Sequence, residues 1–89
     1  MYYYIISYDL KKPGRNYEEL YESIKSYYNW AHITESTWIV YTSATAVEIR
    51  DKLKIIVDSN DSIFVARVEA PAAWMGLDDN VSKWLKKNL

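Results

Sequence analysis

The first strongly patterned stretch, Tyr2 to Asp9 (YYYIISYD), is dense in aromatic and β-branched residues at both alternating positions, which predicts a strand. Lys11-Lys12-Pro13-Gly14 closes it, because Pro and Gly break regular structure. The apolar spacing then switches to three and four. Tyr17, Leu20, Tyr21, Ile24 and Tyr28 predict a helix from about Tyr17 to Tyr28, entered through Asn16 and Glu19 as a variant capping box. Two short β-rich runs, Trp30 to Thr34 and Thr37 to Thr42, flank Glu35-Ser36, a gap of hairpin length without the favoured Asn-Gly chemistry. Thr45 and Glu48 form a second capping box, and Ala46, Ile49, Leu53, Ile56 and Val57 mark one apolar helical face ending near Val57. Turn chemistry in Asp58-Ser59-Asn60-Asp61 precedes a fourth strand, Ile63 to Glu69, which Pro71 stops. After a loop through Trp74 and Gly76, Asp78 or Asp79 caps a third helix with Val81, Trp84 and Leu85 on one face. Its Lys83, Lys86 and Lys87 suit a C-terminal end, where the helix dipole favours cations.

This order, βαββαβ plus a terminal helix, predicts an α+β, ferredoxin-like domain: a four-stranded antiparallel sheet with its two main helices on one face. Asn16 and Thr45 stand 29 residues apart, so the chain reads as two similar βαβ-type halves forming one domain over residues 1–89. The other sheet face then needs cover. Phe64, Ala66 and Val68 alternate with Ile63, Val65, Arg67 and Glu69, which gives the fourth strand one uniformly apolar face and one partly polar face. With the first strand apolar on both parities as well, the pattern predicts a homodimer or cover by the C-terminal helix, its own or a partner's.

Composition narrows the class. Hydrophobic residues make up 49% and charged residues 26%, the balance of a folded domain rather than a disordered one. The absence of Cys removes disulfides and thiolate metal sites, and the single histidine, His32, rules out a multi-histidine site within one copy. No apolar run approaches the roughly 18 residues of a membrane span. Met1 to Ile6 lacks a preceding basic segment and a small-residue cleavage site, so it reads as strand rather than signal peptide, and a cytoplasmic location is expected. A net charge of −1 excludes a strongly basic nucleic-acid binder but leaves room for a local basic patch.

Several residues carry candidate chemistry. Asp9 ends the first strand beside Lys11, Lys12 and Arg15; a carboxylate there suits a hard cation, and the basic loop with the following helix N-terminus suits phosphate. Equally, such an Asp can be a turn former and such a loop plain solvated surface. One carboxylate per chain is a thin site for Mg²⁺ or Mn²⁺, and two-fold symmetry would supply a second. His32 is a candidate general acid, against the commoner role of a packed strand residue. Ser36 and Thr37 lack a recognisable base and read as turn hydroxyls. Tyr2, Tyr4, Tyr8, Trp38 and Tyr41 lie on strands that stack bases in RNA-recognition domains of this topology, but the RNP motifs are absent and the aromatics read first as core. Asp58, Asn60 and Asp61 lack the Gly and terminal Glu of a calcium loop and read as a turn.

MYYYIISYDL, an apolar strand ending in Tyr-Asp, on a short chain with this element order resembles the smaller of the two universal CRISPR adaptation proteins and the virulence-associated protein D ribonucleases. SYDLKKPGRNYEELYESIKS, STWIVYTS and the WLKKNL ending are similar, over nearly the whole chain, to a small bacterial family of uncertain function labelled SinR-like. The first resemblance implies a dimer and maps a metal ligand for phosphodiester cleavage onto Asp9 alone. It equally admits non-catalytic adaptors that bind nucleic-acid backbone. The expectation is therefore a nucleic-acid-associated dimer, either a metal-dependent endonuclease acting on RNA or DNA or a non-catalytic binding or regulatory module, with a place in phage or host defence. The slight acidity and the Lys-rich terminal helix depart from the CRISPR pattern.

Overall fold

A computed structural model describes residues 1–11 and 17–89 of the chain. Along it lie β1 (Tyr2–Asp9), α1 (Glu18–Lys25), β2 (Asn29–Thr34), β3 (Thr37–Thr42), α2 (Ala46–Lys54), β4 (Ser62–Val68) and α3 (Asp79–Asn88). The strands form one antiparallel sheet in the order β2-β3-β1-β4, which is the ferredoxin-like arrangement expected. No helix among the described residues is long and apolar enough to cross a membrane.

Strand register sorts the side chains onto two faces. Tyr4, Ile6 and Tyr8 lie on the face that carries Trp38 and Val40 of β3 and Ile63 and Val65 of β4. Onto this face α1 packs Leu20 and Ile24, and α2 packs Ile49 and Leu53, each pair four residues apart and so stacked on one side of its helix. All four are fully buried, and each contributes about 1.5–3 kcal/mol by leaving water. The capping box that launches α2 is present in full: Glu48 N donates to Thr45 Oγ1 at 3.1 Å and Thr45 N donates to Glu48 Oε1 at 3.0 Å.

The opposite face carries Tyr3, Ile5, Ala31, Ile39, Tyr41, Phe64, Ala66 and Val68, so the uniformly apolar side of β4 points away from α1 and α2. α3 covers the β2 side of this face. Trp84 meets the Tyr3 ring edge-on with centroids 5.9 Å apart, and Trp84 Nε1 donates to Asn29 Oδ1 at 3.1 Å. Asn88 Oδ1 accepts from both the Tyr3 hydroxyl at 3.0 Å and Asn29 Nδ2 at 3.2 Å. The terminal helix therefore packs on its own sheet, and Ala31, Ile39 and Leu85 are buried.

Strand ends shift by one residue at β2 and β4, and two helices end earlier than the sequence expectation. α1 stops at Lys25 rather than Tyr28: Ser26 keeps helical dihedrals, but Ser26 N and Tyr27 N donate three residues back, to the Ser23 and Ile24 carbonyls, and the Ser26 hydroxyl also donates to the Ser23 carbonyl. α2 stops at Lys54 rather than Val57; Ile56 N and Val57 N both donate to the Leu53 carbonyl, so the apolar spacing continues through a turn instead of a helix. The predicted cap at Asn16 lies outside the described residues, and Tyr17 occupies the N-cap position without a side-chain capping bond to the helix. For α3 the cap is Asp78, which accepts from Asn80 N at 2.9 Å.

Urea denaturation checks these assignments. Ile49→Ala is expected to cost about 2–5 kcal/mol through its cavity, and Thr45→Ala about 1 kcal/mol through the lost cap.

Candidate functional site

Asp9 lies on the α3 side of the sheet, opposite Ser62 on β4, at the end of β1 where the chain leaves toward α1. Its carboxylate pairs with the Lys11 ammonium, and the Asp9 side chain is 65% exposed. Such an exposed pair contributes about 0–1 kcal/mol. Lys11 is held at this end by its backbone too, since Lys11 N donates to Asp61 Oδ1 at 2.7 Å while Asp61 Oδ2 accepts from Asp58 N at 2.8 Å. Asp61 thus ties the end of β1 to the turn before β4, and Asp58 accepts from Asn60 N, so this acidic run does the work of a turn. Lys12 and Arg15, the other expected phosphate contacts, lie outside the described residues. Among the described residues no three His, Asp or Glu side chains gather, and the Asp9 carboxylate is paired with a cation.

His32 lies at the same end of the sheet but on the α1/α2 face, opposite Trp38 in register. Its ring stacks on the Trp38 ring with centroids 3.8 Å apart and planes 10° from parallel, and its Nε2 is 3.0 Å from the Glu35 carbonyl oxygen. A carbonyl only accepts, so Nε2 carries the proton. The same carbonyl accepts from the Tyr8 hydroxyl at 3.0 Å, and that hydroxyl accepts from Trp38 Nε1 at 3.0 Å. Tyr8 N also donates to the Ser36 carbonyl at 3.0 Å. These bonds lock the Glu35-Ser36 turn onto β1, making His32, Tyr8 and Trp38 a packed polar-aromatic node; Tyr4, Tyr8 and Trp38 are buried and have no face to offer a base.

A different set of aromatic residues is accessible. Between α1 and β2 the chain places Lys25, Tyr27, Tyr28 and Trp30 within six residues, with Tyr28 81% and Trp30 37% exposed. The Lys25 ammonium stands 5.6 Å from the Trp30 ring centroid. From α2, Lys52 places its ammonium 4.7 Å from the Tyr27 ring and donates to Ser26 Oγ at 2.9 Å. Tyr28 reaches around the sheet end to Tyr41, with centroids 6.1 Å apart. The sequence reading assigned Tyr17 to Tyr28 to a helix and so missed this segment. The signal that could have found it is the run Lys25-Ser26-Tyr27-Tyr28-Asn29-Trp30 itself, a basic residue interleaved with rings beside an early helix stop.

This aromatic-cationic segment and the Asp9 end sit at opposite ends of the sheet: Asn29 pairs with Tyr41 beside Tyr3, whereas Asp9 is the last residue of β1. No family model and no solved structure matches the chain.

Burial pushes the Tyr8 phenol up to about 12 from its ordinary 10.0, with nearby Tyr21 and Glu35 adding to the shift and the Trp38 N–H opposing it. Burial raises Tyr27 as well, helped by Glu48, and Tyr3, helped by Tyr41. Between pH 10 and 12 the unfolded chain releases the Tyr8 proton while the folded chain keeps it, so stability present below pH 10 is lost as pH climbs through that window. Urea midpoints measured from pH 9 upward are expected to fall accordingly. Tyr8→Phe, which leaves the Trp38 N–H unpaired, is expected to cost about 1–3 kcal/mol at pH 7 and to flatten part of that alkaline decline.

Proposed function

We propose that this chain is a non-catalytic nucleic-acid binding module that holds a short single strand of RNA or DNA across the junction of α1 and β2. The observation that carries the reading is the pairing of rings with ammonium groups, the exposed Trp30 with Lys25 and the half-buried Tyr27 with Lys52, beside an almost fully exposed Tyr28. Proteins that hold single strands without sequence readout combine bases stacked on aromatic rings with cations that follow the phosphates. Two lysines make a local basic patch compatible with a net charge of −1, and they suit a contact of one or two nucleotides rather than a long duplex. The resemblance to the CRISPR adaptation and virulence-associated ribonuclease groups points to nucleic acid as well, and a role in phage or host defence follows from the same resemblance.

Fluorescence titration with labelled oligo(dT) and oligo(U) over a salt series tests it. Tyr28→Ala and Trp30→Ala are each expected to remove about 1–3 kcal/mol of binding free energy, and Lys25→Gln and Lys52→Gln each to reduce the salt slope by about 0.7. Absence of wild-type binding at low salt, or affinity indifferent to Tyr28, would overturn the reading.

A metal-dependent endonuclease is the second reading, favoured by the exposure of the Asp9 carboxylate at the end of β1, where the mate from a second copy or a substrate phosphate has room to approach. Cleavage of labelled single- and double-stranded RNA and DNA with Mg²⁺ or Mn²⁺, comparing wild type with Asp9→Asn, decides it. Loss of activity in the variant supports this reading; equal activity, or none in either protein, removes Asp9 from catalysis.

A further inference from the structure

Between β4 and α3 the chain runs through an irregular strap, residues 69–78. Trp74 pins it to the helix, its Nε1 donating to Ser82 Oγ at 3.0 Å. Gly76 takes a φ of 75°, a left-handed value that suits a residue without a Cβ where the strap turns toward the start of α3. Among the described residues the backbone of Ala72 to Leu77 makes no hydrogen bond, which leaves a run of N–H and C=O groups without a protein partner. Between strap and helix lies an open trough of about 480 Å³, lined by Trp74, Met75 and Leu77 from the strap and by Asp79, Ser82 and Lys86 from the helix. Its size is that of a small-ligand site. Met75 is 90% exposed and puts an adaptable thioether at the rim.

The helix arranges the charges of this trough. Asp79, Ser82 and Lys86 follow one another at spacings of three and four, so they share one side of α3. Two turns separate the acidic from the basic residue, about 10 Å along the axis. Neither side chain has a hydrogen-bond or ion-pair partner among the described residues. We propose that the trough binds a short peptide with free ends, about three residues long, lying along α3 with its amino terminus at Asp79 and its carboxylate at Lys86. Three extended residues span about 10 Å, which matches the separation of the two charges. The central side chain of such a peptide meets the apolar wall of Trp74 and Leu77, and its backbone meets the unpaired groups of the strap, as in other sites that recruit extended peptides through main-chain hydrogen bonds. Other occupants match only part of the site. A phosphate-bearing ligand brings negative charge toward Asp79, a simple apolar acid leaves Asp79 without a partner, and an internal stretch of a longer chain has no charged ends to place. The site shares no residue with the α1–β2 segment and stands independently of the nucleic-acid reading.

Isothermal titration calorimetry of the full chain with the tripeptide alanyl-leucyl-alanine tests the site. The free tripeptide is expected to bind, and acetylating its amine or amidating its carboxylate is each expected to weaken binding about threefold to fivefold, the worth of one exposed ion pair. Asp79→Asn is expected to weaken the free tripeptide by the same factor and to leave the acetylated form unchanged, since that form has already lost the contact. Lys86→Gln is expected to behave in the same way toward the amidated form. Both positions are exposed, so each variant is expected to keep the wild-type circular dichroism spectrum. In nuclear magnetic resonance spectra the Trp74 indole N–H is expected to shift with added tripeptide while that of Trp30 stays in place. Absence of binding at millimolar tripeptide, indifference to blocking either end, a variant that weakens free and blocked forms alike, or a shift at Trp30 in place of Trp74 would each overturn the site, whatever the outcome of oligonucleotide binding.

Discussion

A central strand with apolar side chains on both faces sets the terms for everything around it. β1 has neighbours on both sides, β3 and β4, so neither of its edges is open and both of its faces must be covered by something outside the sheet. The pair α1 and α2 answers for Tyr4, Ile6 and Tyr8, and α3 answers for Tyr3. Remove either cover and tyrosine and isoleucine side chains return to water, a loss of about 25 cal/mol for each Å² of apolar surface re-exposed. The uneven reach of α3, which lies toward β2, leaves Phe64 on the far strand uncovered, so the remaining apolar exposure on this face collects at the β4 edge.

Polar groups are admitted to this core only where each finds a partner. Tyr8 sits on the helix-covered face, yet its hydroxyl both donates and accepts, and the turn between β2 and β3 supplies the carbonyl that takes its proton. Buried hydrogen-bonded groups of this kind add modest net stability but make alternatives expensive, because a displaced turn would strand a phenol and an indole N–H. The hairpin carries no Asn-Gly to select its own geometry, and the Tyr8 and His32 contacts to Glu35 do so from outside. That explains why local sequence supplied only a loop length here while tertiary contacts supply the conformation.

Fold class was legible because it depends on periodicity and on signals that act locally: the Thr45–Glu48 box, the two-residue gap at Glu35-Ser36 and the alternation in β4 all read the same way in sequence and in structure. Helix ends were less legible, since Tyr28, Ile56 and Val57 continue the apolar spacing after the helices have stopped. Ile56 and Val57 face the core from a turn as they would from a helix, whereas Tyr28 keeps the spacing but is 81% exposed. The candidate site was the least legible part. Asp9 was singled out as a carboxylate at a strand end, but whether it can ligate depends on what stands near it, and the structure puts Lys11 there. The sequence pattern put Tyr28 on a helical face and Trp30 at the start of a strand, and only the structure separates their exposed rings from the buried Tyr4, Tyr8 and Trp38.

The distribution of aromatic residues then has a physical logic that composition alone conceals. The buried rings of Tyr8 and Trp38 hydrogen-bond to each other and to backbone, and the half-buried Trp84 donates to the Asn29 side chain, so their polar edges are consumed by the fold. Tyr27 and Trp30 instead have ammonium groups over their rings, and Tyr28 meets the Tyr41 ring. A lysine held over an exposed ring gains little stability in water, about 0.5–1 kcal/mol, and two such lysines beside one junction contribute less to folding than a single buried leucine. Their arrangement matters more for what it presents outward: positive charge beside the exposed Trp30 and Tyr28 rings, the combination on which the proposed contact with a nucleotide's phosphate and flat base rests.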